Sequence, residues 1–201
     1  MTLTSITRRT LCAGIALCAV MLCATASAAP NMAADFSLTD LDGKVHTLSQ
    51  YKGKVVVLEF FNPDCPFIKR AHTNKAFLET IKAAQAKGVV WLAINSNATG
   101  KQGSSVETNE AGRKNLGINF PILLNPRGTV GQAYEATRTP EMVLISAGGE
   151  IVYRGGVDSS GGSRNPKDAV SYWLRDAIDA HLTGKPVANP ATKPWGCSVK
   201  Y

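Results

Sequence analysis

Two cysteines of this 201-residue chain, Cys65 and Cys197, are the side chains best placed to do covalent chemistry. Cys65 stands between the apolar run Val55–Phe61 and a proline, Pro66, that suits the first position of a helix, where its missing N–H costs nothing. A sulfur at a helix start faces unpaired backbone N–H groups and the positive end of the macrodipole. Such a setting lowers a thiol pKa, and the thiolate is the nucleophile. Lys69 and Arg70, one turn on, favour the anion further, while Asp64 opposes them. An isolated cysteine is often a buried, inert core residue; a position at a strand-to-helix turn, inside neither element, argues for a reactive one. Cys197, four residues from the last position, is a candidate resolving thiol, since loop-closure entropy grows slowly with length. A permanent Cys65–Cys197 disulfide that tethers the tail, or a bridge between two molecules, fits the same two thiols.

Three further cysteines, Cys12, Cys18 and Cys23, fall in an N-terminal segment expected to be removed. Arg8 and Arg9 precede an apolar run from Leu11 to Ala24, and Ala26-Ser27-Ala28 follows as an Ala-x-Ala cleavage site. That pattern is a secretory signal peptide, expected over residues 1–28 and too short and Ala-rich for a membrane anchor. The arginine pair is compatible with twin-arginine export as well as with general secretion. Large residues, Leu17 and Leu22, precede Cys18 and Cys23, which excludes a lipoprotein site. The mature protein is therefore expected to be periplasmic or secreted, where two thiols invite a disulfide or a redox couple. Losing Arg8 and Arg9 takes the net charge from +7 to +5. The lysines are scattered, without the basic stripe that nucleic-acid binding requires. No nucleic acid and no membrane anchor are expected among the partners.

The elements that must position Cys65 follow from pattern. Phe36–Thr39 and Val45–Leu48 read as extended, flanking the turn Asp40-Leu41-Asp42-Gly43. Val55–Phe61 and Val89–Ile94 read as strands covered on both faces. A helix is expected from Pro66 to about Ala86, with Phe67, Ala71, Phe77, Leu78, Ile81 and Ala84 on one stripe. Further helices are expected at Val106–Leu116, Thr129–Glu135 and Lys167–Leu182, and strands at Phe120–Leu124, Met142–Ile145 and Ile151–Arg154. Strands joined by helices run parallel, and a hairpin then closes the sheet. The expectation is an α/β three-layer fold over residues 29–184, a mixed central sheet with helices on both faces, then an irregular tail, 185–201, carrying Cys197.

The segment Phe60-Phe61-Asn62-Pro63-Asp64-Cys65-Pro66-Phe67-Ile68 resembles the active-site turn of the thioredoxin superfamily. Phe36-Ser37-Leu38-Thr39-Asp40-Leu41-Asp42-Gly43-Lys44, with Tyr51-Lys52-Gly53-Lys54-Val55-Val56-Val57-Leu58, is similar to the opening of its redoxin branch, the alkyl hydroperoxide reductase/thiol-specific antioxidant group. Thr139-Pro140, Tyr153-Arg154-Gly155 with Asp158, and the ending Gly196-Cys197-Ser198-Val199-Lys200-Tyr201 match a peroxiredoxin-like subgroup. The resemblance implies a thioredoxin-like fold with a cis proline at Pro140, leaving the Thr139 backbone to hydrogen-bond an extended substrate. It also implies thiol-dependent oxidoreductase or antioxidant chemistry without a cofactor. Two positions depart from the family. Ile68 stands where thioredoxins carry a second cysteine, and Asn62 where peroxiredoxins carry Thr or Ser, with Leu58 in place of a proline.

Cys65 is thus expected to attack a disulfide or a peroxide, with Cys197 resolving the intermediate. Thr139, Pro140, Asn62 and Pro66 are expected around the substrate, and an external dithiol reductant or a disulfide-bearing protein is the expected partner. The contrasting expectation is a redox-silent binding module with a structural Cys65–Cys197 disulfide. His46, His72 and His181 lack ligand spacing, so no metal is expected. His72 reads as a solvated helix histidine, Trp91 as core, and Trp195 as a residue that docks the tail.

Overall fold

In the computed structural model of the protein, residues 1–2, 31–163, 165, 168 and 171–201 are described. The expected signal peptide lies outside the described residues except for its first two positions. The apolar run Val55–Phe61 forms β3 (Val56–Phe60), every residue of which is buried. It lies near the middle of a seven-stranded sheet. Parallel to it runs β4 (Val90–Asn95), and parallel to that, β5 (Ile122–Leu124). On its other side β7 (Glu141–Ile145) runs antiparallel and leads by a hairpin to β8 (Ile151–Gly155). The far edge is β1 (Ser37–Asp40), antiparallel to β5, with β2 (Val45–Thr47) outermost.

Alternation along β3 divides the core into two layers. Val57 and Phe61 join Phe77, Ile81 and Ala84 of one helix, α2 (Lys75–Ala86), and Leu174, Ala177 and Ile178 of another, α5 (Trp173–Leu182). Val56, Leu58 and Phe60 join Val130 of a short helix, α4 (Thr129–Ala133), with Tyr134 and Leu48 beside it. Helices therefore cover both faces of a mixed sheet. A further helix, α3 (Val106–Asn115), connects β4 to β5.

Two expected helices change. The one expected over 66–86 is broken: α1 (Pro66–Ala71) ends after six residues, and Asn74 caps α2 by accepting from Ala76 N–H at 2.9 Å and Phe77 N–H at 3.4 Å. The final helix begins at Trp173 rather than near residue 167, where some positions lie outside the described residues. The first break has a structural return. It turns His72 inward, where Nε2 meets Oε1 of Glu59 at 2.8 Å, while Trp91 Nε1 donates to Oε2 at 3.1 Å. Glu59 is 0% exposed and His72 only 4%, so His72 is a core residue and not the solvated one expected. Burying the carboxylate without partners would be costly, and both oxygens are hydrogen-bonded.

Replacing Glu59 by Ala leaves His72 and Trp91 Nε1 without their acceptor in the core, an expected loss of about 3 kcal/mol. The urea midpoint checks it, and Glu59→Gln, which keeps an acceptor, should lose less.

Candidate active site

The backbone between Phe61 and Pro66 is shaped by Asn62. Its Oδ1 accepts from Asp64 N–H at 2.9 Å and its Nδ2 donates to the Gln102 carbonyl at 3.4 Å. The side chain is fully buried, and a Cβ on Gly103 would collide with it. Asn62 therefore braces the turn against the 102–103 loop, and the peptide group that meets Cys65 comes from Thr139 instead. Pro66 takes the first position of α1 and is exposed beside the site. Cys65 is 1% exposed.

Facing it, the Thr139-Pro140 peptide bond is cis, as the family resemblance implies. Two residues just before the proline form a short strand, β6 (Arg138–Thr139). Buried Glu141 fixes this strand from behind: one carboxylate oxygen accepts from the N–H of Thr137 at 2.8 Å, its hydroxyl at 3.1 Å, and the N–H of Arg138 at 3.1 Å. The Cys65 thiol donates to the Thr139 carbonyl oxygen at 3.1 Å. Beside it the Thr139 hydroxyl is buried with no hydrogen-bond partner.

The tail is not a loose end. Its final strand, β9 (Cys197–Ser198), pairs antiparallel with β6, setting Cys197 opposite Thr139. Trp195 docks it as expected, donating from Nε1 to the Asp158 carbonyl at 2.9 Å and resting on Phe67 with ring centroids 6.2 Å apart. The Thr139 strand, expected to be free to hydrogen-bond an extended substrate, is paired here with the chain's own tail. Gly196 permits this approach. Its φ is +127°, and any Cβ there would strike the Thr139 carbonyl oxygen.

This pairing brings the two sulfurs together as free thiols. Burial pushes the Cys65 thiol up, but hydrogen bonds to its anion outweigh that effect. They come from the Cys197 thiol, the Thr139 hydroxyl, and the N–H groups of Ile68 and Cys197, and the net pKa lies below the ordinary thiol value. Cys197 moves the other way, raised by burial and then by its hydrogen bond and proximity to Cys65. Of the two thiols, Cys65 is therefore the one that ionises first as pH rises, with Cys197 as its donor. Lys69 and Arg70 were expected to favour the anion; the hydrogen bonds account for the shift, and Arg70 instead lies over the Phe67 ring, 4.9 Å from its centroid.

A redoxin family model matches residues 25–171, well over half of the sequence. The chain belongs to the redoxin family. Among curated relatives, the thiol-disulfide oxidoreductase ResA of Geobacillus kaustophilus is 36% identical over 127 residues, 63% of this chain and 68% of that protein. The ResA of Bacillus subtilis is 32% identical over 126 residues, 63% of this chain and 64% of that protein. Two solved structures extend further. An uncharacterized conserved protein from Geobacillus kaustophilus has a TM-score of 0.75 at 32% identity, covering 86% of this chain and 91% of its own. A hypothetical protein from Sinorhizobium meliloti has a TM-score of 0.74 at 30% identity, covering 86% and 93%.

Sequence reasoning placed Cys65, Thr139, Pro140 and Cys197, which the fold brings together. It missed Glu141 and Glu59. Glu59 carried a signal, as the only ionisable residue within an apolar run to be covered on both faces. Among the described residues, no group of three or more His, Cys, Asp or Glu could hold a metal ion.

Because its pKa is depressed, Cys65 alkylation should rise with pH with a midpoint below the ordinary thiol value of about 8.5. Thr139→Val and Cys197→Ala each remove a donor to the anion, so each should move the midpoint upward. Cys197→Ser, which keeps an O–H donor, should move it less. Rates of iodoacetamide labelling against pH, read at the Cys65 peptide, check all three.

Proposed function

We propose that the protein is an exported thiol-disulfide oxidoreductase in which Cys65 is the nucleophile and Cys197 the resolving thiol. The observation that carries this reading is geometric: the pairing of β9 with β6 sets Cys197 opposite Thr139, whose carbonyl accepts from the Cys65 thiol, so the chain's own second thiol lies at the buried first one. The names of the relatives support the same reaction class.

The chemistry balances with these groups alone. The Cys65 thiolate attacks one sulfur of a partner disulfide, forming a mixed disulfide and releasing the partner's other sulfur as a thiolate. Cys197 gives up its proton to that leaving group or to water and attacks Cys65 Sγ. The Cys65–Cys197 disulfide forms and the partner leaves with both sulfurs reduced. An external dithiol protein then reverses the oxidation of the pair, taking the disulfide onto its own two sulfurs. Burial of Cys65 beside Ile68, which lacks a thiol, makes the tail the source of the second sulfur.

A disulfide suits this site better than a peroxide as substrate. The Asn62 amide, the group expected to bind a peroxide, is held by Asp64 and Gln102. Export rests on the leader expected over residues 1–28, and an oxidising compartment, periplasmic or secreted, matches a chemistry that cycles a disulfide.

Cys197→Ser should trap the Cys65 mixed disulfide when reduced protein meets an equimolar peptide disulfide, lowering turnover by about a hundredfold or more, because an intramolecular step is lost. Cys65→Ser should abolish reaction. Mass spectrometry of acid-quenched samples checks both. Faster oxidation of Cys65 by hydrogen peroxide than by the peptide disulfide would make peroxide the substrate. Turnover by the unmodified protein no faster than the uncatalysed exchange would reduce it to a binding module, and equal turnover by the Cys65→Ser variant would remove Cys65 as the nucleophile.

A further inference from the structure

The tail lies in a two-sided slot. On one side Cys197 and Ser198 pair with Thr139 and Arg138, and Val199 N–H donates to the Thr137 carbonyl at 3.3 Å. On the other, Ala98 N–H donates to the Lys200 carbonyl at 2.7 Å, and Lys200 N–H donates to Oδ1 of Asn97 at 3.0 Å. The strand β6 on one side and the loop at Asn97–Ala98 on the other thus bind one extended segment, largely through its backbone, which is how a strand is recognised by augmentation. The side chains divide by alternation. Cys197 faces Cys65, and Val199, 8% exposed, enters the core layer around Leu58 and Tyr134. Ser198 points to solvent. Tyr201 donates to the Ala136 carbonyl at 2.7 Å, its ring over Gly128 and Gly131, where a Cβ would displace it.

Resting on the proposed oxidoreductase reading, we infer that this slot is the partner-recognition site, that residues 197–201 fill it as a resident stand-in, and that it selects an extended polypeptide with the pattern Cys-x-aliphatic-x-aromatic, the cysteine being one half of a disulfide.

The consequence for the reaction is an order of events. Cys65 is 1% exposed with the tail in place, so a partner strand reaches it only when the tail leaves. The partner docks in the same register, its sulfur lying where Cys197 lay, and the mixed disulfide forms. Cys197 returns to the sulfur only by re-entering the slot, so resolution and partner release are one event. Small disulfides, which make none of the strand contacts, gain no help from the slot.

The slot is opened without touching either loop by Gly196→Val, whose side chain would strike the Thr139 carbonyl. The test compares Cys197→Ser with Gly196→Val/Cys197→Ser in the full-length chain, reading Cys65 by peptide mass so that the leader cysteines do not contribute. The probes are the peptide Gly-Cys-Ser-Val-Lys-Tyr as its mixed disulfide with thionitrobenzoate, the same peptide with Val and Tyr replaced by Ala, and the small disulfide of thionitrobenzoate itself. Opening the slot should raise attack on the first peptide by about tenfold or more, and that peptide should outrun its Ala version by a similar factor, each tenfold corresponding to about 1.4 kcal/mol. Tyr201→Ala/Cys197→Ser, which loosens the last anchor and leaves Gly196 in place, should move in the same direction and covers misfolding of the valine variant. Equal rates for the two peptides, or equal rates with and without the tail displaced, would overturn the inference. Attack on the small disulfide reads the thiol chemistry by itself: if it persists while the peptides are not distinguished, the slot fails and the oxidoreductase reading stands. Tail exchange between two molecules, seen as a dimer in which the variants still protect Cys65, would also overturn it.

Discussion

The peptide group of Thr139 is the point through which the site is assembled. Its carbonyl oxygen accepts a hydrogen bond from the Cys65 thiol, its hydroxyl is buried without a hydrogen-bond partner, and its strand pairs with Cys197. Each contact constrains the other two. A hydrogen bond from a thiol to a carbonyl favours the protonated sulfur, whereas the hydroxyl and the Cys197 thiol favour the anion, so the balance sits between two defined states of one atom. Glu141 holds that strand from the opposite side by accepting from Thr137 and Arg138, which lets a two-residue segment keep its pose without a full sheet around it.

The central sheet serves this arrangement. Its β3 delivers the Asn62–Cys65 turn, and β7 begins immediately after Pro140, so the two strands flanking the site are hydrogen-bonded neighbours. Behind Cys65 the buried Glu59, His72 and Trp91 network replaces what would otherwise be apolar packing, and the break between α1 and α2 is what allows it. A second polar network ties the loop across from Thr139. Asn95 Nδ2 donates to the Gly103 carbonyl at 2.7 Å and to Asn109 at 2.8 Å, and Asn97 N–H donates to Asn95 Oδ1 at 3.0 Å. The tail therefore closes against two rigid walls.

Much of this was legible in the order of residues. Continuous apolar runs at Val55–Phe61 and Val89–Ile94 marked the paired parallel strands, and the turn residues around Cys65 marked the nucleophile position. What pattern could not supply was the partnering of polar groups across the chain. The stripe from Phe67 to Ala84 reads as one helix, because periodicity is blind to an Asn74 side chain that caps a new one and to a carboxylate on β3 that draws His72 inward. Asn62 reads as a substrate ligand from the peroxiredoxin resemblance, whereas its amide is engaged by a loop forty residues on. The tail, with three prolines and little periodicity, reads as irregular. Its role depends on pairings with distant residues, Trp195 with Asp158 and Cys197 with Thr139 among them, which no local signal carries.

Cys65 and Cys197 act as one couple within a single molecule if the pairing of the tail with β6 holds in solution. Equilibrating the protein in dithiothreitol buffers of graded potential, and measuring both thiols by mass at two protein concentrations, tests that directly. The result expected is a single two-electron transition in which Cys65 and Cys197 oxidise together at the same potential whatever the protein concentration. A transition that shifts with concentration, or two cysteines that oxidise separately, would contradict it.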